Sequence, residues 1–568
     1  MIHISDVKRF VTAPKTLFFL TFLTLIVPNI ALCFTEQLSL LASVVNVLLP
    51  LSVYWLMMTL SVKPGKMTWT LFVFIFFAAF QIVLLYLFGR GVIAVDMFLN
   101  LVTTNPTEAG ELLDNLLPGV VSVFALYLPV LILGVVSLCN KKHLEPAFLY
   151  QQRRYSQIVL AVGVVLALVC KVTDKEYKFS DQLFPANVCY NLWLAIDRTE
   201  KTNDYATTSA RFRYHAKPTH NADSTEIYVL VIGETARAGE FGIYGYQRNT
   251  TPELGKTQGL TAFTNVLTQS NTTHKSVPML LSLATAEDYD AIYRTKGVIS
   301  AFKEAGFHTT FLSNQRPNHS FIDIFGKEAD EWRFIKDALP EDSNVLDQSL
   351  LTIMKEVLKR PYKKQLIVLH TYGSHFNYRE RYPQSEAYFK PEDNAAAEYE
   401  NRQSLLNAYD NSIRYTDKLL ADIVRMVERK GCAATMLYTS DHGENIFDDD
   451  RRLFLHASPI PSCFELHVPF LVWTSARYQQ QYPEVVSALK ANKNKPVQSS
   501  VSTIHTLLQM AGIQTPCLKS SLSVADPSYR CGKRHYLNDH NLPLTLDKTG
   551  MTQTDFRDLE LWGITNLK

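Results

Sequence analysis

The chain carries little charge and no excess of either sign. Charged residues make up 19% of its 568 residues, below the roughly 25% of ordinary soluble domains. Lysine and arginine number 56 and aspartate and glutamate 54, so the formal net charge is +2. This balance gives no support to nucleic-acid binding, which needs a basic excess or a basic stripe. We therefore expect no nucleic-acid partner.

Several other signatures are missing from the sequence. It has no internal repeat, no low-complexity segment and no block of like charges, and its composition excludes a disordered chain, a collagen and a small disulfide scaffold. It has no C-x-x-C pair, no H-E-x-x-H motif and no phosphate-binding loop of the Walker type. Among its eight cysteines, Cys517 and Cys531 flank a short polar loop and are the best candidates for a disulfide.

Long hydrophobic runs, in contrast, fill the first third of the chain. They lie at about 16–34, 40–61, 68–88, 119–138 and 157–170. Four of them reach the ~20 residues that cross a bilayer, and the fifth can extend. The alternative, buried helices of a water-soluble protein, rarely produces five successive runs this apolar. The sequence therefore predicts a transmembrane domain of five helices.

The basic residues of the short loops predict the orientation of these spans. Lysines and arginines concentrate in the N-terminal tail and in the loops after the second and fourth runs, which should be cytoplasmic. Five spans that start inside finish outside. We therefore expect a transmembrane domain at 1–171, bridging helices and a linker at 172–222, and an extracytoplasmic domain at 223–568.

From residue 226 onward, short apolar runs alternate with longer amphipathic stretches. This alternation predicts an α/β domain with a mostly parallel sheet covered by helices on both faces. The predicted strands are Ile227–Ile232, Thr309–Leu312, Gln365–Leu369, Thr435–Tyr438 and Val468–Trp473. The predicted helices are Val298–Ala305, Val345–Leu358, Arg402–Arg429 and Ser500–Ala511.

Polar side chains follow the predicted strands where each one ends. Glu234 follows the first strand, His375 lies shortly after the third, and Asp441 and His442 follow the fourth. Ligands of open α/β sheets bind beyond the carboxyl ends of the strands. Taken singly, each residue is more often a cap or turn residue. Together, carboxylates and imidazole without clustered thiols predict a site for Zn²⁺, with Mn²⁺ as the second choice.

The segment 270–278 offers a nucleophilic hydroxyl. A polar loop leads to Ser276-Val277-Pro278 and an apolar run, which predicts a helix start with Pro278 in its first turn. Free N–H groups there would face an anion. A simple N-cap is the alternative interpretation, and composition alone leaves Thr272, Thr273 and Ser276 open.

The chain resembles the lipid A phosphoethanolamine transferase family, which includes the polymyxin-resistance enzymes. The resemblance covers nearly the whole length, and its motifs are long. They are 231–238 with Gly245-Tyr246 and Thr251-Pro252, Thr273 with Ser276-Val277-Pro278, 369–375 with Arg381-Tyr382-Pro383, 440–444, and Leu455-His456. The resemblance implies five spans and an alkaline-phosphatase-like domain in the periplasm, anchored in a bacterial inner membrane.

The resemblance also implies a role for each matching residue. Thr273 is the expected nucleophile, bound to the metal together with Glu234, Asp441 and His442. The expected substrate-binding residues are His375, His456, Lys327 and, in the membrane part, Asn100, Thr104 and Glu108. The chain departs from many members in carrying Gln269 and Met279 where they have cysteines.

The reaction that this family implies moves phosphoethanolamine from phosphatidylethanolamine, through phospho-Thr273, to lipid A or the core of lipopolysaccharide. Both substrates are lipids, which agrees with a membrane anchor. A phosphoglycerol transferase of the same superfamily is the main alternative. A sulfatase would need an arginine after Ser276-Val277-Pro278, where Met279 and Leu280 stand, and an inactive sensor would not need the four intact site residues.

Overall fold

The computed structural model describes residues 13–103, 106–175, 177–340, 343–392 and 397–567, with side chains at 100–116 left out of the description. The chain divides into two compact units. One comprises Met1–Leu99 and Leu112–Asp197, and the other Asn100–Glu111 and Arg198–Lys568. Each unit is described by itself.

The first unit is helical. Its helices, some of which extend past its limits, are α1 Pro14–Leu25, α2 Val27–Thr35, α3 Leu40–Met58, α4 Pro64–Thr70, α5 Phe72–Phe88, α6 Val95–Thr103, α7 Pro106–Cys139, α8 Pro146–Thr173, α9 Phe179–Gln182 and α10 Ala186–Asn203. Prolines at the first position of α1, α4 and α8 suit these starts, because a helix's first N–H groups have no partner within it.

The lengths of these helices fit a multi-pass membrane protein. Four stretches are long and apolar enough to cross a bilayer, namely Pro14–Thr35, Leu40–Met58, Leu117–Cys139 and Pro146–Thr173. The pair Pro64–Thr70 and Phe72–Phe88, bent by 57°, makes a fifth if it is counted as one span. The five predicted runs thus correspond to five helical stretches, the third of them broken.

A seven-stranded sheet forms the centre of the second unit. Its strands are β1 Glu226–Gly233, β2 Leu260–Ala262, β3 His308–Ser313, β4 Glu331–Phe334, β5 Lys364–His370, β6 Ala433–Ser440 and β7 Phe470–Thr474. They are arranged in the order β2-β7-β6-β1-β5-β3-β4. The five strands from β6 to β4 are parallel, whereas β7 runs antiparallel to both β6 and β2. The prediction of a mostly parallel sheet is confirmed.

Short two-stranded ladders and further helices complete this unit. The ladders pair Lys217–Pro218 with Ile513–Gln514, Val266–Leu267 with Val497–Gln498, Asn445–Ile446 with Phe454–Leu455, and His535–Leu537 with Pro543–Thr545. The helices are α11 Tyr205–Thr208, α12 Thr273–Leu281, α13 Val298–Glu304, α14 Phe321–Gly326, α15 Ser349–Val357, α16 Arg402–Glu428, α17 Cys463–Leu466, α18 Ala476–Gln481, α19 Pro483–Asn492, α20 Ser499–Met510 and α21 Gln553–Leu561.

Strand β1 shows why this sheet is covered on both faces. All eight of its residues are buried, as expected for a central parallel strand. Tyr228, Leu230 and Ile232 belong to one hydrophobic core, which also contains α20 side chains, whereas Val229 and Val231 belong to a second core with α16 side chains. Alternate side chains of β1 therefore pack into two different cores, one on each face of the sheet. The residues that follow the strand ends form a polar edge.

Two details differ from the sequence predictions. Helix α12 begins at Thr273, so Pro278 lies inside the helix and not in its first turn. All eight cysteines are free thiols, so the prediction of a Cys517–Cys531 disulfide is wrong. Both thiols pack against one hydrophobic core, and this burial raises the pKa of each.

Candidate active site

The candidate site forms where β1 and β6 end side by side. Gly233, the last residue of β1, pairs with Ser440, the last residue of β6, in the parallel register. Glu234 and Asp441 follow immediately, and the Asp441 N–H donates to the Gly233 carbonyl at 3.1 Å. Parallel pairing of neighbouring strands therefore brings together two carboxylates that are 207 positions apart in the chain.

Three side chains at this edge converge on one point. The His442 Nε2 atom lies 3.2 Å from Asp441 Oδ2 and 3.6 Å from Glu234 Oε1. Glu234, Asp441 and His442 are all buried, and each offers a ligand atom within 4.8 Å of the other two. Among the described residues, this group of acidic and imidazole side chains is arranged to hold a metal ion.

The hydroxyl of Thr273 completes the cluster. Its Oγ1 lies 3.1 Å from Glu234 Oε1 and 3.0 Å from His442 Nε2. The other two candidate hydroxyls are engaged elsewhere, because Thr272 contacts Ser270 and Ser276 donates to the Thr272 carbonyl at 2.7 Å. Of the three hydroxyls that composition left open, the one that lies in the cluster is that of Thr273, the first residue of α12.

The protonation states in the cluster suit a cation. His442 Nδ1 lies 2.8 Å from the Gly443 carbonyl, which can only accept, so the proton is on Nδ1 and the lone pair on Nε2. Burial lowers the pKa of His442 well below its ordinary value, so the ring is neutral. Burial raises the pKa of Asp441 to about 6, which works against its ionised form, and positive charge at this point would offset that effect.

The hydrogen-bond acceptors of Asp441 and His442 show whether a metal ion fits between them. Asp441 Oδ1 accepts from the Thr235 and His442 N–H groups, but Asp441 Oδ2 is buried with no hydrogen-bond donor among the described residues. This oxygen faces the His442 lone pair instead, and buried acceptors without donors are costly. A divalent cation at this point would satisfy these atoms, and two carboxylates with one imidazole suit Zn²⁺.

Close packing of the next loop fixes the backbone of Glu234. Gly373 follows β5 with a φ of +55°, and a Cβ atom there would lie 2.6 Å from the Glu234 carbonyl oxygen. The Ser374 N–H donates to the same oxygen at 3.0 Å. Thr235 itself has a φ of +52°, a conformation that costs a β-branched residue energy and that is frequent at functional sites.

The two histidines implied by the resemblance lie beside this cluster. The ring of His456 is 4.2 Å from that of His442, and the ring of His375 is 6.0 Å from that of His456. Burial, helped by the charges of His456 and Arg381, lowers the pKa of His375 to about 3.

His456 behaves in the opposite way. Burial alone would lower its pKa, but the Glu444 carboxylate, 3.1 Å from Nδ1, outweighs this effect and raises the pKa above the ordinary value. Glu444 is itself held by the Tyr378 hydroxyl at 2.7 Å. Of the two histidines, His456 is therefore the one arranged to carry a proton.

A lysine that sequence reasoning did not assign, Lys336, packs against the aromatic ring beside His375. Lys327 is exposed after α14, and its ammonium lies 5.4 Å from the ring centroid of Trp332. Lys336 is buried, with its ammonium 3.6 Å from the ring centroid of Tyr372, and that ring is 5.2 Å from His375. Lys336 follows β4, a short strand that the apolar pattern did not predict.

Sequence reasoning did not assign two further residues, one that contacts the cluster and one that lies beside Tyr372. Gln315, after β3, donates to Glu234 Oε2 at 3.0 Å. Arg381 lies 4.2 Å from the centroid of the Tyr372 ring and is almost fully buried. Gln315 follows a predicted strand, and Arg381 lies in a motif that matches the family. These positions were a weak indication that the two residues lie near the site. The predicted residues Asn100, Thr104 and Glu108 lie outside the residues whose side chains are described.

Solved structures with the same fold are known. The integral membrane protein lipooligosaccharide phosphoethanolamine transferase A (EptA) from Neisseria meningitidis aligns over 90% of this chain and 98% of its own, with a TM-score of 0.70 and 22% identity. The C-terminal periplasmic domain of EptC from Escherichia coli, in a complex with Zn, aligns over 59% of this chain and 95% of its own, with a TM-score of 0.54 and 26% identity.

Curated relatives carry similar names. Phosphoethanolamine transferase EptC from Escherichia coli O18:K1:H7 is 29% identical over 53% of this chain and 53% of its own. The Kdo(2)-lipid A phosphoethanolamine 7''-transferase of Escherichia coli K12 is 30% identical over 57% of this chain and 58% of its own. The chain thus spans about half the length of the curated relatives it matches.

The sulfatase family model matches residues 226–513, which is half of the chain and contains every residue of the metal cluster. The chain therefore belongs to the sulfatase family, and its membrane helices and α/β domain have the architecture of the full-length EptA structure.

Proposed function

We propose that this protein transfers phosphoethanolamine from phosphatidylethanolamine to lipid A or the core of lipopolysaccharide, through a phospho-Thr273 intermediate. The observation that carries the proposal is the position of the Thr273 hydroxyl, 3.0 to 3.1 Å from two ligand atoms of the metal cluster. The names of the two curated relatives, which are 29% and 30% identical to this chain, supply the transferred group. They do not favour phosphoglycerol as that group.

The proposed reaction has two displacements at phosphorus. In the first, Thr273 Oγ1 bonds to the phosphorus of the donor while the bond to diacylglycerol oxygen breaks, and that oxygen takes up a proton. In the second, an acceptor phosphate or hydroxyl oxygen bonds to the phosphorus and Thr273 leaves. Both steps place negative charge on the phosphoryl oxygens, so positioning and electrostatics dominate.

The cluster residues divide the work. Glu234, Asp441, His442 and Thr273 would hold Zn²⁺, which supplies positive charge that lowers the pKa of a bound hydroxyl and neutralises phosphate. Thr273 Oγ1 lies within hydrogen-bond distance of Glu234 Oε1 and His442 Nε2, and with those two atoms on the cation the Thr273 proton would pass to solvent water. His456, with its raised pKa, can give a proton to the leaving diacylglycerol oxygen.

Cationic side chains around Tyr372 fit the second substrate. Lys336 and Arg381 both lie over this ring, at 3.6 and 4.2 Å from its centroid. His375 is next to the same ring. We assign phosphate binding to this group, with Lys327 kept as the prediction from the resemblance. Asn100, Thr104 and Glu108 stay assigned to donor binding by prediction.

The proposed setting is a bacterial inner membrane. The domain limits follow the sequence, with a membrane domain at 1–171, a bridge at 172–222 and a periplasmic catalytic domain at 223–568. Donor and acceptor are both lipids, so a membrane anchor keeps the catalytic domain within reach of both.

The test uses the full-length protein in liposomes with head-group-labelled phosphatidylethanolamine. Wild-type protein should acquire label on Thr273 and pass it to lipid A, and Thr273→Ala should do neither. Thr273→Ser, which keeps a hydroxyl, should retain part of the adduct formation. Transfer by Thr273→Ala at the wild-type rate would reject the nucleophile, and labelling from phosphatidylglycerol in preference to phosphatidylethanolamine would reject the donor.

A further inference from the structure

The two oxygens of the Glu234 carboxylate have different surroundings. Oε1 faces the Thr273 hydroxyl at 3.1 Å and His442 Nε2 at 3.6 Å. Oε2 accepts a hydrogen bond from the Gln315 side chain at 3.0 Å. One oxygen is therefore directed to the metal position, and the other is turned away from it toward a neutral donor.

The orientation of the Gln315 amide follows from its partners. Its Nε2 atom donates to Glu234 Oε2 and, at 2.9 Å, to the carbonyl of Thr371. Both partners can only accept, so a flipped amide would set its own oxygen against two acceptors. Both N–H bonds of this amide are thus used, and both hold the nitrogen beside the carboxylate.

The backbone of Gln315 is fixed as well. Its N–H donates to the Ser313 hydroxyl at 3.1 Å, and that hydroxyl contacts His370 Nδ1 at 3.1 Å. Ser313 and His370 are register partners at the ends of β3 and β5. Thr371 donates from its N–H to the carbonyl of Ile232 in β1 at 3.0 Å. Gln315 therefore links three adjacent strand ends at the catalytic edge.

We propose that Gln315 is a positioning residue for the metal site. It fixes the Glu234 carboxylate so that Oε1 faces the metal position while Oε2 stays hydrogen-bonded. This inference rests on the proposed function, because it assigns a role at the same site. Outer partners of metal ligands typically contribute about 10- to 100-fold to metal affinity.

The test measures Zn²⁺ affinity of the full-length protein in detergent, by competition with a fluorescent chelator. Gln315→Met removes both donors at similar volume, and Gln315→Glu keeps the shape but sets a carboxylate against a carboxylate. Both should weaken Zn²⁺ binding by about 10- to 100-fold, with Gln315→Glu the weaker binder. Saturating Zn²⁺ should restore part of the transferase activity of Gln315→Met and none of that of Thr273→Ala.

Gln365→Met is the matched control. Gln365 also lies at one end of a sheet strand, at the start of β5, where it is buried and its amide donates to the Tyr362 carbonyl at 3.2 Å. This variant should bind Zn²⁺ as the wild type does. Equal Zn²⁺ affinity in wild type, Gln315→Met and Gln315→Glu would overturn the role of Gln315 alone.

Two other outcomes separate this inference from the proposed function. A wild-type protein that transfers phosphoethanolamine without binding Zn²⁺ would overturn the metal site, and the role of Gln315 with it. If Gln315→Met does not fold, the comparison passes to Gln315→Glu, which is isosteric, and to the Co²⁺ absorption spectrum. A spectrum of Gln315→Glu identical to that of the wild type would then reject the inference.

Discussion

Replacing Gly373 with alanine tests how tightly the loop after β5 holds Glu234, the proposed metal ligand. A Cβ atom at this position would lie 2.6 Å from the Glu234 carbonyl oxygen, 2.8 Å from its nitrogen and 3.0 Å from its Cβ. These are backbone atoms or the first side-chain atom, so no flexible group can swing aside. Reaching tolerable separations requires the two segments to part by about 0.4 to 0.8 Å.

The expected cost has two parts. A left-handed φ costs an alanine about 1–2 kcal/mol relative to glycine, and forced overpacking adds about 1–3 kcal/mol. The displacement also exceeds the ~0.2 Å tolerance of metal–ligand distances. Gly373→Ala should therefore lower both the free energy of unfolding and the Zn²⁺ affinity, the latter by about 10-fold or more.

Gly431→Ala isolates the steric part of this effect. Gly431 has a φ of +64°, similar to the +55° of Gly373, but a Cβ atom there meets nothing within 4 Å. Both variants change the entropy of the unfolded chain equally, so that contribution cancels in the comparison. Gly431→Ala should lose only the conformational part and keep wild-type Zn²⁺ affinity.

The assay is thermal unfolding of the full-length protein in detergent, without metal and then with added Zn²⁺. The metal-free transition reports the steric cost, and the shift produced by Zn²⁺ reports the metal affinity. If Gly373→Ala and Gly431→Ala unfold at the same temperature and gain equally from Zn²⁺, the close packing against Glu234 does not constrain the site and the reasoning is refuted.

Three further predictions concern the proton on His456, the metal and the C-terminal packing. Because Glu444 raises the pKa of His456, the protonated form persists to higher pH and is lost as pH rises through that pKa. Glu444→Gln should move the alkaline decline of kcat/KM to lower pH, and an unshifted profile would remove His456 as proton donor. Treatment with a chelator should abolish phosphoethanolamine transfer, and added Zn²⁺ should restore it. Asp441→Ala should reduce the Zn²⁺ that the purified protein retains by on the order of 100-fold, measured by metal analysis. Arg451 contacts both oxygens of the buried Asp555 at 2.7 and 2.8 Å, so Arg451→Ala should destabilise the protein by about 2–4 kcal/mol, measured by thermal unfolding.

Much of the fold was accessible to sequence reasoning because its elements are long and strongly patterned. The apolar runs of the membrane helices and the fully buried strand β1 leave few other structures for such residues. The short edge strand β4 could not be predicted in this way, because Glu331, Trp332 and Arg333 are half-buried or exposed and form no apolar run. Its pairing with β3 places Lys336 near Tyr372, and that pairing is a long-range event that local periodicity cannot express.

The candidate site divides along the same line. Glu234, Asp441 and His442 follow strand ends directly, so strand prediction and sheet topology suffice to place them at one edge. Choosing Thr273 over Thr272 requires knowing the first residue of α12 to within one position. Pro278 does not indicate that residue, because it lies inside the helix and not in its first turn. Residue spacing thus limits the candidate nucleophile to one loop, and the proposal of Thr273 within that loop depends on the resemblance and on the contacts of its hydroxyl.

The residues that hold the ligands are harder to find than the ligands themselves. The side-chain amide of Gln315 donates to Glu234 and to the Thr371 carbonyl, which are 81 and 56 positions away along the chain. The residues next to Gln315 in the sequence predict neither contact. Gly373 is required because the backbone of Glu234, which follows another strand, packs directly against it. Both contacts exist only because β1, β3 and β5 end together, so the parallel sheet, and not any local motif, determines how rigidly Glu234 presents its oxygen.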